Sequence, residues 1–399
     1  MELLLKPIFI DSYTASTCIG LGNNALLRAL LAGDTGLAHC DFDDVSLDTW
    51  IGKVSALDTE ISPLPQNLTT FECRNNRLAF LGLQQDGFDQ RIRETILNVG
   101  KQRIGIFLGT STSAIYDTEL AYRNVDSKTG AFLKPINYSG SHSVSSLCNF
   151  VRALYDIQGP GFVISTACSS SAKVFAAAQR FMALGLIDAA LVGGVDSLCL
   201  TTLYGFNSLQ LTSEQPCRPY DRDRNGISIG EAAAFTLLTK QQSSDLVLMG
   251  YGESSDAYHM SSPHPDGLGA KQAMEAALNS AGLSPNDIDY INLHGTSTPS
   301  NDRAEGVAVS NVFGDRIPCS STKGITGHTL GAAGAVEAIA CFEALRQGFI
   351  PGSVGTELLD PTIHLNYQMT STSCQVKRVL SNSFGFGGSN CSLIFGVNP

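Results

Sequence analysis

Hydrophobic and polar positions along the chain alternate between two patterns. Short apolar runs typical of buried strands are separated by longer stretches in which apolar residues recur at helical spacing. The apolar runs predict strands at 103–110, 161–165, 189–195, 246–250, 288–293, 376–382 and 390–395. The helical pattern predicts helices at 23–33, 172–184, 270–282, 304–312 and 331–346. This order predicts βαβ units on a mostly parallel sheet, and therefore an α/β protein.

A short polar stretch at 240–245 divides this alternation into two parts with similar element content. We therefore predict an internal duplication, with an N-terminal half at 1–243 and a C-terminal half at 244–399. Because the polar stretch is only six residues long, we expect two halves of one compact body rather than two independent domains.

Composition narrows the functional classes. Hydrophobic residues make up 43% of the 399 residues and charged residues only 16%, which predicts a large interior and a surface partly covered by a second subunit. The net charge of −11 argues against a nucleic-acid-binding protein. The 11 cysteines include no C-x-x-C pair, which argues against a disulfide framework or a structural zinc site. With no signal peptide and no apolar run of about 18 residues, we expect a cytoplasmic protein without a membrane span.

The first candidate for chemistry is Cys168, in the sequence Ile-Ser-Thr-Ala-Cys-Ser-Ser-Ser at 164–171. It lies where a predicted strand ends and a predicted helix begins. The free N–H groups and positive potential of a helix start favour a thiolate over a thiol. Cysteine is also a common small core residue, so a role as nucleophile requires partner groups.

Candidate partners lie in the C-terminal half. His294 directly follows a predicted strand, at the position where catalytic groups of α/β proteins gather, although it could instead stabilise the local turn. Lys323 and His328 lie in a glycine-rich segment before the helix predicted at 331–346. Since Lys323 precedes the glycines, the segment does not match a phosphate-binding P-loop, and its later glycines fit close helix packing.

Two further features accompany these residues. Glu337 falls inside the long helix, either on a solvated face or as a partner of Lys323 or of a histidine. Phe384 and Phe386 lie in a glycine-rich turn, where they are either core residues or a hydrophobic gate beside a site.

A cysteine with one histidine is typical of a protease or an acyltransferase, but two histidines and a lysine suggest carbon–carbon bond formation. In such a reaction the cysteine carries an acyl group as a thioester, and a second, carboxylated thioester loses CO₂ to give an enolate. Two neutral histidines that donate hydrogen bonds to the thioester oxygen would stabilise the developing negative charge.

These residues resemble those of the β-ketoacyl-acyl carrier protein synthases, the elongating condensing enzymes of the thiolase fold. The resemblance covers nearly the whole chain. It is carried by five motifs, which are Thr-Ala-Cys-Ser-Ser at 166–170, Arg-Pro-Tyr-Asp-Arg-Asp-Arg-Asn-Gly at 218–226, His-Gly-Thr-Ser-Thr-Pro at 294–299, the segment 323–334, and Asn-Ser-Phe-Gly-Phe-Gly-Gly at 382–388.

The resemblance implies a role for each candidate. Cys168 would be the acylated nucleophile, and His294 and His328 would bind the thioester oxygen of the malonyl unit and promote decarboxylation. Lys323 would hold His328 and the local charge network, with Glu337 as its structural partner.

The remaining family positions concern binding and support. Backbone N–H groups of Cys168 and Phe386 would form the oxyanion hole, and Phe386 would gate the acyl pocket beside Phe384. Two threonines would hydrogen-bond the phosphopantetheine arm, and two acidic residues match family positions with less defined roles. The threonines are Thr296 and Thr298, and the acidic residues are Asp302 and Glu305.

The family also implies a five-layer αβαβα thiolase fold built from two similar halves, and a dimer that acts on acyl carrier protein. No cofactor or metal is expected, because the substrates are carried on the phosphopantetheine arm of the carrier protein. An acidic carrier protein predicts a basic landing patch, for which the candidates by position are Arg74, Arg77, Arg123 and Lys128.

Three departures from the family pattern bear on the substrate. The first predicted strand at 6–13 lacks the usual Val-Thr-Gly-rich opening. Serines follow the cysteine at 169–171 where Ala-Thr is more usual, and the segment 225–230 replaces the usual Asp-Gly-Phe-Val. They leave fatty acid synthesis and a specialised polyketide or polyene pathway, such as aryl polyenes, both open. The protein would form a homodimer, or a heterodimer with a chain-length-factor-like subunit. The alternative function is a non-catalytic chain-length-factor-like subunit, and a simple hydrolase does not explain Lys323 and His328.

Overall fold

The computed structural model describes residues 8–59, 63–133 and 136–398. The N-terminal residues from which we expect no signal peptide lie outside these ranges. The main sheet contains ten principal strands, which are β1 Ile8–Ser16, β2 Ile104–Gly109, β3 Gly161–Ile164, β4 Ala189–Asp196, β5 Ala232–Thr239, β6 Leu246–Ser255, β7 Tyr290–Asn292, β8 Pro318–Ser320, β9 Arg378–Gly385 and β10 Ser389–Val397. A two-residue strand at Asn366–Tyr367 extends the sheet beyond β8.

The longer helices of the described residues surround this sheet. They are α1 Asn23–Ala32, α2 Arg74–Leu83, α3 Phe88–Val99, α4 Ile115–Arg123, α5 Ser146–Tyr155, α6 Ser170–Ala183, α7 Leu200–Ser208, α8 Leu268–Ala281, α9 Pro299–Phe313 and α10 Ala333–Gln347. Their ends carry recognisable signals. Gly33 adopts a left-handed conformation at the end of α1, and Thr298 caps α9 ahead of a proline at its first position.

The strand order shows the internal duplication. From the centre of the sheet outwards, the N-terminal strands lie in the order β1-β5-β4-β2-β3 and the C-terminal strands in the order β6-β10-β9-β7-β8. Each strand of the first half therefore corresponds to the strand five places later in the chain. The halves join where β1 pairs with β6 in antiparallel register over only two residue pairs, Ile8 with Leu248 and Phe9 with Val247.

Three apolar clusters define the layers. The largest surrounds α6 and α10, and it contains residues from both halves of the sheet. A second cluster packs α2, α3 and α5 on the outer side of the N-terminal strands, and a third packs α8 and α9 on the C-terminal strands. The result is helix, sheet, helix, sheet, helix, so the predicted five-layer α/β fold is confirmed.

The prediction of a mostly parallel sheet is wrong. β2, β3 and β4 are parallel to one another, and so are β7, β8 and β9. The strands β1, β5, β6 and β10 at the centre pair in antiparallel fashion. For β9 and β10 the physical reason is their short connection, which forces the chain to reverse directly beside its own strand.

Candidate active site

Cys168 lies in a tight turn between β3 and α6, and its side chain is buried. The preceding Ala167 has a φ of 53°, a left-handed conformation that turns the chain sharply just before the cysteine. The serines that follow hold this turn. Ser169 Oγ donates to the carbonyl of Thr166, and Ser170 Oγ donates to that of Ala167 at 2.6 Å. These serines therefore have a structural role in presenting the thiol.

His328 approaches the same thiol from the C-terminal half. Its Nε2 lies 3.0 Å from Cys168 Sγ. Two backbone contacts hold the histidine, because its N–H donates to the Ser228 carbonyl at 2.7 Å and its carbonyl accepts from the Gly230 N–H at 2.9 Å. The segment 225–230, which departs from the family pattern in sequence, thus supports a candidate catalytic residue.

His294 is the second histidine at the thiol, and its ring centroid lies 5.3 Å from that of His328. Lys323 Nζ lies 3.3 Å from His294 Nδ1, donates to the His294 carbonyl at 2.5 Å, and forms a buried ion pair with Glu337. The expected Lys323–Glu337 pair is therefore present. The expected partner histidine is not, because the ammonium bonds His294 instead of His328.

This arrangement fixes which nitrogen of His294 carries a proton. An ammonium group has donors and no acceptor, so Nδ1 must accept its hydrogen bond. A neutral His294 then holds its proton on Nε2. Burial and the Lys323 charge keep the pKa of both His294 and His328 well below the ordinary value of 6.5, so both rings are neutral at neutral pH.

The thiol itself is not a resting thiolate. Burial raises the pKa of Cys168 to about 11, although the Lys323 charge and a hydrogen bond from the Phe386 N–H act in the opposite direction. The helix start, which we expected to favour a thiolate, therefore does not bring the pKa of Cys168 below its ordinary value. The group at rest is a thiol, which must lose its proton in the course of the reaction.

The two acidic candidates stabilise the loop that carries His294. Glu305 accepts hydrogen bonds from the N–H groups of His294 at 2.7 Å and Gly295 at 2.8 Å, and from the Tyr220 hydroxyl at 2.9 Å. Asp302 accepts from the Tyr220 and Ser297 N–H groups and lies 3.4 Å from the Arg224 guanidinium. Both carboxyl groups are buried, and burial raises the pKa of Glu305 to about 7.

A narrow cleft leads to the thiol and is lined by most of the predicted residues. Thr296 and Thr298 lie on its wall, with their hydroxyl oxygens 2.9 Å apart. Phe384, Phe386 and Gly387 also line the cleft, and the φ of 79° at Gly387 turns the chain sharply there. The structure therefore brings the candidate nucleophile, histidines, threonines and phenylalanines to one cleft.

The side chains of Cys168, His294 and His328 face one another and could also hold a metal ion. Ligand atoms of Cys168, His294 and His328 all lie within 4.8 Å of one another. Zinc accepts such a donor set, but the Lys323 ammonium beside His294 places positive charge where a cation would bind. A metal-free site stays a prediction.

Asp196 is a buried residue of the site that sequence reasoning missed. It ends the fully buried strand β4 and accepts hydrogen bonds from the turn after β2 and from the N–H of Gly331, three residues beyond His328. A carboxylate at the end of an otherwise apolar strand was a signal that could have found it. Close packing explains the glycine here, because a Cβ on Gly331 would lie 2.7 Å from the Asp196 carboxylate.

The structure gives little support to the basic patch that we predicted as a landing site for acyl carrier protein. Arg74 is buried and forms an ion pair with Glu231 at 2.6 Å, so it is wrong as a surface contact. Arg77 pairs with Glu72, and Arg123 pairs with two aspartates at 43 and 44. Lys128 is exposed. Which cations contact a carrier protein stays a prediction.

The duplicated five-layer body is that of the thiolase fold, and a cysteine facing two histidines places the chain among the condensing enzymes of that fold. Structural neighbours agree. A chain of the complex between the ketosynthase ApeO and its chain length factor ApeC from Xenorhabdus doucetiae is 37% identical, with a TM-score of 0.89 over 98% of both chains. A β-ketoacyl synthase from Burkholderia phymatum is 27% identical, with a TM-score of 0.87 over 99% of this chain and all of that one.

Sequence comparisons identify the family. Residues 6–244 match the family model of the β-ketoacyl synthase N-terminal domain, and residues 246–357 match that of the C-terminal domain. The mitochondrial 3-oxoacyl-[acyl-carrier-protein] synthase of Arabidopsis thaliana is 32% identical over 98% of this chain and 93% of its own length. The corresponding synthase 1 of Haemophilus influenzae is 31% identical over 98% and 99%. The chain belongs to the β-ketoacyl synthase family, whose members are condensing acyltransferases.

No helix in the described ranges is long and apolar enough to cross a membrane.

Proposed function

We propose that this protein is a β-ketoacyl-acyl carrier protein synthase that joins an acyl chain on Cys168 to a malonyl unit, with loss of CO₂. The proposal rests on the position of the Cys168 thiol beside two neutral imidazoles. His328 lies 3.0 Å from the thiol, and His294 is held by Lys323. A hydrolase or a simple acyltransferase has no use for the second imidazole.

The first step is acyl transfer. Cys168 Sγ attacks the thioester carbonyl of an acyl carrier protein, and the carrier's sulfur leaves with the proton that the thiol gives up. His328 Nε2 contacts the thiol and, as the donor that the next step requires, hydrogen-bonds its sulfur during the transfer. Because burial raises the pKa of Cys168 to about 11, the resting group is a thiol and its proton is lost in this step.

The second step is decarboxylation of a malonyl thioester. The carbon–carbon bond to the carboxylate breaks, CO₂ leaves, and the electron pair moves into an enolate. His294 can donate to the enolate oxygen through Nε2, because Lys323 occupies Nδ1. His328 provides a second donor at the same place, so the negative charge forms against two fixed dipoles.

The third step forms the product. The enolate carbon attacks the Cys168 thioester, and the backbone N–H groups of Cys168 and Phe386 bind the resulting oxyanion. The Phe386 N–H supports this role because it already points at the Cys168 sulfur. Collapse of the intermediate expels the cysteine sulfur, which takes a proton from solvent and regenerates the thiol.

Partners and pathway follow from the same proposal. The substrates are acyl and malonyl groups on the phosphopantetheine arm of acyl carrier protein, with Thr296 and Thr298 on the wall where the arm enters, and no separate cofactor takes part. The protein acts in the cytoplasm, as a homodimer or beside a chain-length-factor-like subunit. Similarity to the ApeO–ApeC complex of a ketosynthase with its chain length factor supports the heterodimer. A specialised polyene or polyketide pathway, such as aryl polyenes, is the alternative to fatty acid synthesis.

The test is reconstitution with carrier-bound substrates. We expect wild-type protein, given acyl carrier protein loaded with an acyl chain and then malonyl carrier protein, to yield the 3-ketoacyl product by intact mass spectrometry. The Cys168→Ala variant is the matched control and yields none. Free acid without a new carbon–carbon bond would indicate a hydrolase and overturn the proposal.

The alternative of a non-catalytic chain-length-factor-like subunit makes a different prediction. Such a subunit would carry no acyl adduct on Cys168 when incubated with any acyl carrier protein. The intact nucleophile and both histidines favour the enzyme. Mass spectrometry of the peptide that contains Cys168 distinguishes the two.

A further inference from the structure

Asp196 lies at the end of β4 with no exposed surface, and its carboxylate joins the two halves of the protein. The N-terminal half contributes the turn Thr110–Thr112 that follows β2. The C-terminal half contributes Gly331, in the segment between His328 and α10. A buried carboxylate is stable only when hydrogen bonds satisfy it, and Asp196 accepts six.

The two oxygens of this carboxylate have different partners. Oδ1 accepts from four donors of the N-terminal half, which are Thr110 Oγ1 at 2.6 Å, Ser111 N at 2.7 Å, Thr112 N at 3.0 Å and Thr112 Oγ1 at 2.9 Å. Oδ2 accepts from Ser111 Oγ and from Gly331 N, the latter at 2.6 Å. Only Oδ2 therefore reaches the segment that follows His328.

That segment is strained. Leu330 adopts a φ of 50°, a left-handed conformation that a bulky side chain disfavours. Such a conformation persists only where its surroundings hold it, and the hydrogen bond from the next residue, Gly331, to Asp196 lies directly beside it.

The hydrogen bonds of the turn that carries Cys168 do not involve this carboxylate, whose negative charge acts on the thiol only by raising its pKa. These hydrogen bonds come from the turn's own serines and Thr166. The two sides of the reaction centre are thus supported separately, the thiol by its local turn and His328 by contacts that include the Asp196–Gly331 bond.

We propose that Asp196 is a positioning residue that fixes the His328 segment against the strand ends of the N-terminal half, so that its loss slows malonyl decarboxylation more than acylation of Cys168. The inference rests on the proposed function, because it assigns the effect to one of two proposed steps.

Asp196→Asn is the informative variant. The amide has one acceptor, and the four donors around Oδ1 hold it there. The amide NH₂ then takes the place of Oδ2 and faces the Gly331 N–H, donor against donor. The N-terminal contacts persist, while the contact to the His328 segment is lost.

We expect decarboxylation of malonyl carrier protein by Asp196→Asn to fall between about tenfold and a hundredfold, as for a misplaced catalytic group. Cys168 acylation, followed by intact mass, is expected to fall by less than about threefold, because the turn keeps its hydrogen bonds and loss of the Asp196 charge lowers the pKa of the thiol. Thr112→Val removes a donor from Oδ1 but leaves the Gly331 contact, and it is the matched control that retains the wild-type ratio of the two rates. Equal losses of both steps in Asp196→Asn would overturn the inference.

Hydrogen exchange tests the same inference without activity. Peptides covering 328–333 are expected to exchange faster in Asp196→Asn than in wild type, while peptides covering 164–171 keep their protection. Unchanged exchange at 328–333 would overturn the inference even if the wild type proved inactive, a result that would separately refute the proposed function. Should Asp196→Asn fail to fold, Ser111→Ala, which removes only a hydroxyl donor to Oδ2, must show the same selective effect at smaller size.

Discussion

Replacing Glu337 with glutamine is expected to destabilise the protein because it leaves a buried ammonium without its counter-charge. The side chains of Lys323 and Glu337 are 2% and 3% exposed, so solvent cannot compensate either charge. Removal of one partner from such a pair costs about 3–5 kcal/mol.

The expected change in melting temperature follows from chain length. An unfolding entropy of about 2.1 cal/mol/K per residue gives about 0.8 kcal/mol/K for 399 residues. A loss of about 3–5 kcal/mol therefore lowers Tm by about 4–6 °C. Decarboxylation is also expected to fall, because a shifted Lys323 no longer holds His294 Nδ1.

Calorimetry on matched variants tests this reasoning. The double variant Lys323→Met/Glu337→Met removes both charges and fills the space with apolar side chains, so it is expected to melt above Glu337→Gln while remaining inactive. Circular dichroism confirms that each variant retains its fold. A double variant that melts below Glu337→Gln, or a single variant within about 1 °C of wild type, would refute the account of a buried charge pair.

Three further outcomes are expected. Cys168→Ala abolishes condensation but retains malonyl decarboxylation, measured as CO₂ release, since enolate stabilisation belongs to the histidines; loss of both in a folded variant contradicts this division. The pKa of both histidines is lowered, so the decarboxylation rate stays constant as pH falls through 6.5 and declines only below it, whereas a midpoint at or above 6.5 would show that a ring is protonated earlier. In Gly387→Ala the new Cβ has no atom within 4 Å, but the alanine must adopt a φ of 79°. We expect this strain to lower the free energy of unfolding by about 1–2 kcal/mol, measured by thermal melting, and to slow Cys168 acylation by shifting Phe386. An unchanged acylation rate would show that the turn has no part in acyl transfer.

Local patterns in the sequence predicted most of the elements that position the site. The strand before Cys168 and the helix after it are present almost as predicted, because periodicity and flanking glycines determine them. The helix predicted from residue 304 instead begins at Pro299, with Thr298 as its N-cap. We missed this start because we interpreted Thr298 only as a substrate-binding residue.

Partners distant in the chain could not be predicted in the same way. Lys323 bonds His294 instead of His328 because both histidines are close to it only after the halves dock, and sequence separation carries no information on that choice. Asp196 and Arg74 show the same difficulty. Asp196 directly follows the predicted strand 189–195 and Arg74 lies outside the predicted elements, and the burial of each depends on a partner from another part of the chain.

The duplicated strand order has a consequence for how activity arises during folding. Cys168 follows β3 and His328 follows β8, which are equivalent strands of the two halves, so the thiol and its imidazole meet only after the sheets have docked. A ribosome completes the half with the thiol before it makes the half with the histidines. The Cys168 thiol is therefore synthesised before its partner histidines. The active site is complete only when the C-terminal half has packed against the N-terminal half.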